Sequence, residues 1–195
     1  MHRRMLLLAL AAAPAARAQD GGWTPLFNGR DTAGWTAIGN ANWRVEEGAL
    51  VADRGSGFLV SERSFDDFDL RAEVWIDAKT NSGIYVRASN RAQVTAANAY
   101  EVNLWDERPE QRYGTGAIVD IAPVEPMPRG GGRWNILEIS ARGDALSVTL
   151  NGQRTADAVR DGRHRAGPIA LQHAPGVNND DTGVVRFRRV EVRTP

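Results

Sequence analysis

Short apolar or alternating runs, broken every few residues by Gly, Asn or Asp, fill this chain from about residue 43 to its end. They occupy residues 43–46, 49–52, 57–62, 67–76, 83–88, 99–106, 115–121, 134–141, 145–150, 153–156, 166–173 and 184–193. Runs this short that alternate with period 2 are strands, and no segment keeps a 3.6-residue period over three turns. The breaks are hairpin turns: Glu47-Gly48, Arg142-Gly143-Asp144 and above all Asn151-Gly152. Asn-Gly supplies the two positive-φ residues of a type I′ turn. About a dozen strands with 42% hydrophobic residues can bury one core. The expected class is all-β, a single-domain two-sheet β-sandwich or jelly roll. No repeat of 40–50 residues suggests a propeller.

The first residues read as a separate segment. Met1-His2-Arg3-Arg4 is basic, Met5 to Ala13 is too short an apolar run to span a bilayer, and Ala16-Arg17-Ala18 has the small-x-small form of a cleavage site. Residues 1–18 are therefore expected to be a secretory signal peptide, with a faint twin-arginine character in Arg3-Arg4, and residues 19–195 the domain. Cleavage takes Arg3, Arg4 and Arg17 with it and leaves 21 basic residues against 24 acidic, a net charge of −3. That balance gives no basic field for nucleic acid, and no second apolar stretch spans a membrane. With no cysteine there is neither a disulfide nor a thiolate metal site. A bacterial periplasmic or secreted domain held by its core fits these facts.

The chemistry concentrates around Tyr100-Glu101-Val102-Asn103-Leu104-Trp105-Asp106. In a strand, Tyr100, Val102 and Leu104 face the core while Glu101, Asn103 and Trp105 face outward. Ile84 and Val86 against Tyr85 and Arg87, and Asp69 to Ile76 with Glu73 and Trp75, repeat the design. If these strands lie together, Glu73, Arg87, Glu101 and Asn103 share one polar face, with Tyr85, Trp75 and Trp105 as a sugar platform. The bland reading of Glu73 and Arg87 is a cross-strand ion pair. Glu101 and Asp106 are five apart, so one β-bulge would bring both carboxylates to the same face for glycosidic cleavage. Otherwise Asp106 caps a turn. His173, after Ile169-Ala170-Leu171-Gln172, ends a strand before a polar loop, which suits either a structural or a catalytic histidine. Asn178-Asn179-Asp180-Asp181 could hold calcium or form a polar turn. Metal-ligand spacing is otherwise absent. Three connections, 89–98, 107–114 and 120–132, are long enough to build a rim.

Taken together, Leu26-Phe27-Asn28-Gly29-Arg30-Asp31, Gly34-Trp35, Asn81-Ser82-Gly83-Ile84-Tyr85-Val86-Arg87, Tyr100-Glu101-Val102 with Asp106, Trp134-Asn135, Leu150-Asn151-Gly152 and Gly167-Pro168-Ile169-Ala170-Leu171-Gln172-His173 resemble the 3-keto-disaccharide hydrolase domain family, also called domain of unknown function 1080. The matching pieces run in order over about residues 24–193. Asn103 stands where that family usually has Gln, and the link 174–183 is longer than usual. The resemblance implies a concanavalin A-like jelly roll in an exported hydrolase. The expected substrates are 3-keto-glycosides and 3-keto-disaccharides, cleaved by elimination and hydration. It makes Glu101 or Glu73 the base, His173 or Asp106 the proton donor and Arg87 the enolate stabiliser, with a divalent cation as the alternative to Arg87. Asn103, Tyr85, Trp75, Trp105 and Gln172 would contact the sugar. The competing expectations are a non-catalytic carbohydrate-binding module and an ordinary β-glucan glycosidase.

Overall fold

The computed structural model describes residues 22–180 and 182–195, so the signal-peptide expectation and Asp181 lie outside the described residues. Thirteen strands alternate with tight turns: β1 (Thr24–Pro25), β2 (Trp35–Gly39), β3 (Arg44–Glu46), β4 (Ala49–Ala52), β5 (Gly57–Phe65), β6 (Phe68–Ile76) and β7 (Asn81–Val86), then β8 (Tyr100–Leu104), β9 (Arg133–Arg142), β10 (Ala145–Leu150), β11 (Gln153–Arg160), β12 (Gly167–Ala174) and β13 (Val185–Arg193). The turns are those the sequence demands. Glu47-Gly48 closes β3 on β4 and Asn151-Gly152 closes β10 on β11, all four residues with positive φ.

The strands form two antiparallel sheets packed face to face. One runs β11-β10-β9-β6-β13-β4-β3, with β1 added beside β13; the other runs β2-β5-β12-β7-β8. Between them lie Leu70, Val74 and Ile76 of β6, Leu137 and Ile139 of β9 and Phe187 of β13, against Leu59, Ile84, Val102, Leu104 and Leu171 of the second sheet. Each such side chain contributes about 1.5–3 kcal/mol on leaving water. The all-β jelly-roll expectation is met.

Two differences bear on the site. The run 115–121 is not a regular strand. It docks along the outer edge of β8, where Asn103 N donates to Ala117 O (3.0 Å), Gly116 N to Asn103 O (2.8 Å) and Val119 N to Glu101 O (3.0 Å). This closes the edge of the five-stranded sheet. And β2, at that sheet's other edge, carries an alternation too brief (Trp35-Thr36-Ala37-Ile38-Gly39) to stand out from the flanking loops.

Candidate functional site

Pairing register decides which polar side chains meet. Across β12, β7 and β8, Ala170, Tyr85 and Glu101 form one row, and Gln172, Gly83 and Asn103 form the next. Directly opposite residues in antiparallel strands point to the same side. Both rows therefore face away from the core, opposite Ile84, Val102 and Leu171. Phe58 of β5 and Ile38 of β2 continue the second row.

Glu101 is the centre of this face. It is only 7% exposed. Burial pushes its carboxyl above the ordinary glutamate range; the Tyr85 hydroxyl, which donates to it, and the Arg108 guanidinium pull the other way. Gln172 Nε2 donates in turn to the Tyr85 hydroxyl at 3.1 Å. Phe58 meets the Tyr85 ring edge-on, centroids 5.1 Å apart, and fixes its orientation. Burial, together with the Glu101 charge, drives the Tyr85 phenol far above its ordinary value, so it stays a donor. Gly83 leaves the floor open. A Cβ there would stand 3.5 Å from Gln172 Oε1 and 3.6 Å from Glu101 Cγ.

Four buried polar atoms in the row beside Glu101 and in the loop after β8 find no partner within the protein: Gln172 Oε1, Asn103 Oδ1, Trp105 Nε1 and Arg108 Nε. Two are acceptors and two are donors. Natural proteins leave few such groups. A sugar hydroxyl both donates and accepts, which suits this mixed set. The walls come from two loops. Residues 89–98 contribute Val94 to an apolar cluster that also holds Val60, Tyr85 and Ala170. Residues 105–114 present Trp105 with Arg108 stacked on its ring at 5.8 Å. Arg108 was not singled out by the sequence; only its place in a long loop after the central strand pointed to it.

Other expected site residues stand elsewhere. Glu73 lies on the outer face of the other sheet, where it binds Arg188 (2.6 Å) and Arg189 (3.1 Å), and Trp75 is on that same far face. The four-residue polar face is thus corrected to Glu101 and Asn103 with Tyr85 and Gln172. Arg87 leaves β7 with φ 56°, which turns its side chain inward instead of outward. Its guanidinium donates to Asp66 O (2.8 and 2.6 Å) and Gly143 O (2.7 Å).

Asp106 is not paired with Glu101, because β8 runs without a bulge and ends at Leu104. Its carboxylate accepts from Thr115 Oγ1 (2.6 Å), Gly130 N (3.0 Å) and Gly131 N (2.9 Å). It anchors the loop that carries Trp105 and Arg108. His173 falls on the core-side alternation of β12; its ring nitrogens sit 2.8 Å from Gly55 O and 2.6 Å from Gly183 O and tie two loops together. Asp180 is held by Lys79 and Thr182 as a polar turn.

No group of three or more His, Asp or Glu side chains placed to hold a metal occurs among the described residues. Beside Glu101 the unpartnered oxygens are the amide oxygens Gln172 Oε1 and Asn103 Oδ1. A cavity of about 300 Å³ lined by Asn28, Gly34, Ser61, Glu62 and Arg63 contains none of the unpartnered buried atoms, and we do not place the chemistry there.

Comparison with known proteins agrees with this architecture. A protein classed as a glycosyl hydrolase from Parabacteroides distasonis superposes with a TM-score of 0.75 at 19% identity, covering 89% of this chain and 94% of that one. Carbohydrate-binding module CBM66 from Bacillus subtilis gives 0.62 at 19% identity, covering 83% and 96%. The Bacillus licheniformis β-glucanase gives 0.62 at 12% identity, covering 91% and 100%. At these identities the likeness establishes the fold alone. No curated protein sequence matches the chain. Residues 22–193, nearly the whole described chain, match the 3-keto-alpha-glucoside-1,2-lyase-like domain, and the chain belongs to that family.

Proposed function

We propose that this protein is an exported enzyme that cleaves the glycosidic bond of glycosides oxidised to a ketone at C3, by elimination followed by hydration. One observation carries the reading: the Glu101 carboxyl is buried on the outward face of the five-stranded sheet, in the same strands and adjoining loop as the unpartnered polar atoms of Gln172, Asn103, Trp105 and Arg108. A C3 ketone acidifies the C2 hydrogen. Glu101 takes that proton, the C1–O bond breaks, and the electron pair left at C2 forms the C1=C2 double bond of an enone. With Asp106 and His173 engaged elsewhere, Glu101 returns the same proton to the departing oxygen. Water then adds its hydroxyl to C1 and its proton to C2. The Arg108 guanidinium and Trp105 Nε1–H supply donors for the negative charge on the C3 oxygen. The family description supports a 3-keto-glucoside substrate.

The test is release of free sugar from a 3-keto-glucoside and from the matching unoxidised glucoside, each with and without a chelator. Cleavage of the keto substrate alone is expected, and the chelator arm reads whether a divalent cation takes part. Cleavage of the plain glucoside would make this an ordinary glycosidase. Saturable binding without cleavage of either would make it a binding module, in line with its likeness to CBM66.

The base must be ionised to act, so the acid limb of the kcat/KM profile should lie above the ordinary glutamate range. Tyr85→Phe removes the hydrogen bond that favours ionised Glu101. The limb is then expected to move to still higher pH, with the plateau lowered less than in a Glu101 variant. A limb that stays put or moves down would take Glu101 out of the titration.

A further inference from the structure

Tyr85 has a single hydroxyl proton and two polar neighbours on the outward face of the five-stranded sheet. Glu101 stands directly opposite it on β8, and Gln172 Nε2 lies 3.1 Å from the phenol oxygen. Whichever neighbour receives that proton decides whether Glu101 has its donor. Tyr85 is 4% exposed and Gln172 8%, so solvent does little to settle the direction. Nor do the apolar neighbours. Ala170, directly opposite Tyr85 on β12, and Phe58, edge-on to its ring, have no polar side-chain atom. An ionised Glu101 only accepts, which turns the Tyr85 proton toward it and leaves the phenol oxygen to accept. Nε2 is the only end of the Gln172 amide that can donate, and it is the end that meets the hydroxyl; Oε1 has no partner within the protein.

We infer that Gln172 is a positioning residue: its Nε2–H occupies the Tyr85 oxygen and so directs the Tyr85 proton onto the Glu101 carboxylate. With Glu101 as the proposed base, on which this role rests, a side chain two hydrogen bonds away helps set the pH at which the base is ready. The remaining influences on Glu101 do not pass through these two bonds. Burial and the Asp120 charge oppose its ionisation, and the Arg108 guanidinium favours it. β12 brings no charge of its own to this face, because His173, its one titratable residue, lies on the core side. A hydroxyl that accepts a hydrogen bond donates more strongly. Gln172→Met, close in volume but without the amide, therefore weakens the Tyr85 bond to Glu101. Gln172→Glu does more: its carboxylate competes for the same proton and adds a like charge beside Glu101.

The test is a carbon-13 NMR titration of the Glu101 carboxyl in the substrate-free protein, assigned through Glu101→Gln, alongside the acid limb of kcat/KM, which reports the free enzyme. Both are expected to move to higher pH, by about 0.5 in Gln172→Met and by about 1 or more in Gln172→Glu. In a Tyr85→Phe background Gln172→Met should shift neither any further, since its effect runs through the hydroxyl. The inference is overturned if Glu101 titrates in folded Gln172→Met as it does in the parent. It is equally overturned if Gln172→Met shifts the titration as far in the Tyr85→Phe background as in the parent. An unmoved titration with a lowered kcat/KM would make Gln172 a substrate contact alone. Should Gln172→Glu not fold, Gln172→Met and the double variant still decide. The NMR titration needs no turnover. If it moves as expected while the parent leaves the 3-keto-glucoside uncut, the direction of the hydrogen bonds stands and the proposed reaction falls.

Discussion

Glu101→Gln is expected to lower kcat on a 3-keto-glucoside by about 10²- to 10⁴-fold, the usual worth of a positioned proton-transfer group, while leaving the protein folded. Glutamine keeps the shape and still accepts from the Tyr85 hydroxyl, but it cannot take a proton from carbon. Substrate binding should change little, because the unpartnered atoms of Gln172, Asn103, Trp105 and Arg108 are untouched. The stability consequence has a definite sign. Burial raises the folded-state titration of Glu101 above that of the unfolded chain, so the folded protein holds this proton more tightly. Stability then falls as pH climbs from the ordinary glutamate value through the raised one, and the penalty persists above it. Glutamine carries no such penalty. Thermal unfolding at pH 4 and pH 7 should therefore show the variant at least as stable as the parent at pH 7, with a smaller difference at pH 4. A folded Glu101→Gln protein with near-normal turnover would remove Glu101 from the reaction. A variant that fails to fold at pH 7 would mean the carboxylate charge holds the face together.

Much of this was legible because a strand's period of 2 leaves little freedom. Once Tyr100, Val102 and Leu104 are core, Glu101 and Asn103 must be on the other side, and so they are. The same alternation placed Tyr85 and Gln172 correctly. It could not say which strands are neighbours. Glu73 and Trp75 alternate in just the same way, but β6 belongs to the other sheet, and nothing local in Asp69 to Ile76 records that. Nor does alternation survive a strand's end. Arg87 follows Val86 by one residue, yet its positive φ reverses the side chain's direction, and Asp106 leaves the plane of β8 altogether. Arg108 was missed for the same reason. A loop residue's position depends on what pins the loop, here Asp106 on the backbone of Gly130 and Gly131, some two dozen residues away.

Arg87→Ala is expected to be the most damaging single change to stability, about 3–5 kcal/mol, comparable to much of the 5–15 kcal/mol that holds a domain of this kind together. Arg87 is 0% exposed, and its guanidinium bridges three separate turns: Asp66 O and Asp67 Oδ1 (3.1 Å) before β6, Gly143 O between β9 and β10, and His164 O (3.4 Å) before β12. Alanine would remove the donors that tie these part-buried carbonyls together and would open a cavity where the fully buried Arg87 side chain now sits. Lysine is no substitute, since one ammonium group cannot reach carbonyls that a planar fork serves together; Arg87→Lys should recover only part of the loss. Urea unfolding midpoints for the three proteins measure this directly. The activity readout separates this role from a catalytic one. At low temperature and with substrate saturating, the folded fraction of Arg87→Ala should keep the parent kcat, because the Glu101 carboxyl, Tyr85, Gln172 and Arg108 meet without it. If the variant instead unfolds at the parent's urea concentration and loses turnover, the guanidinium belongs to the reaction after all, and the enolate charge assigned to Arg108 must be shared with a residue on the far side of the sheet.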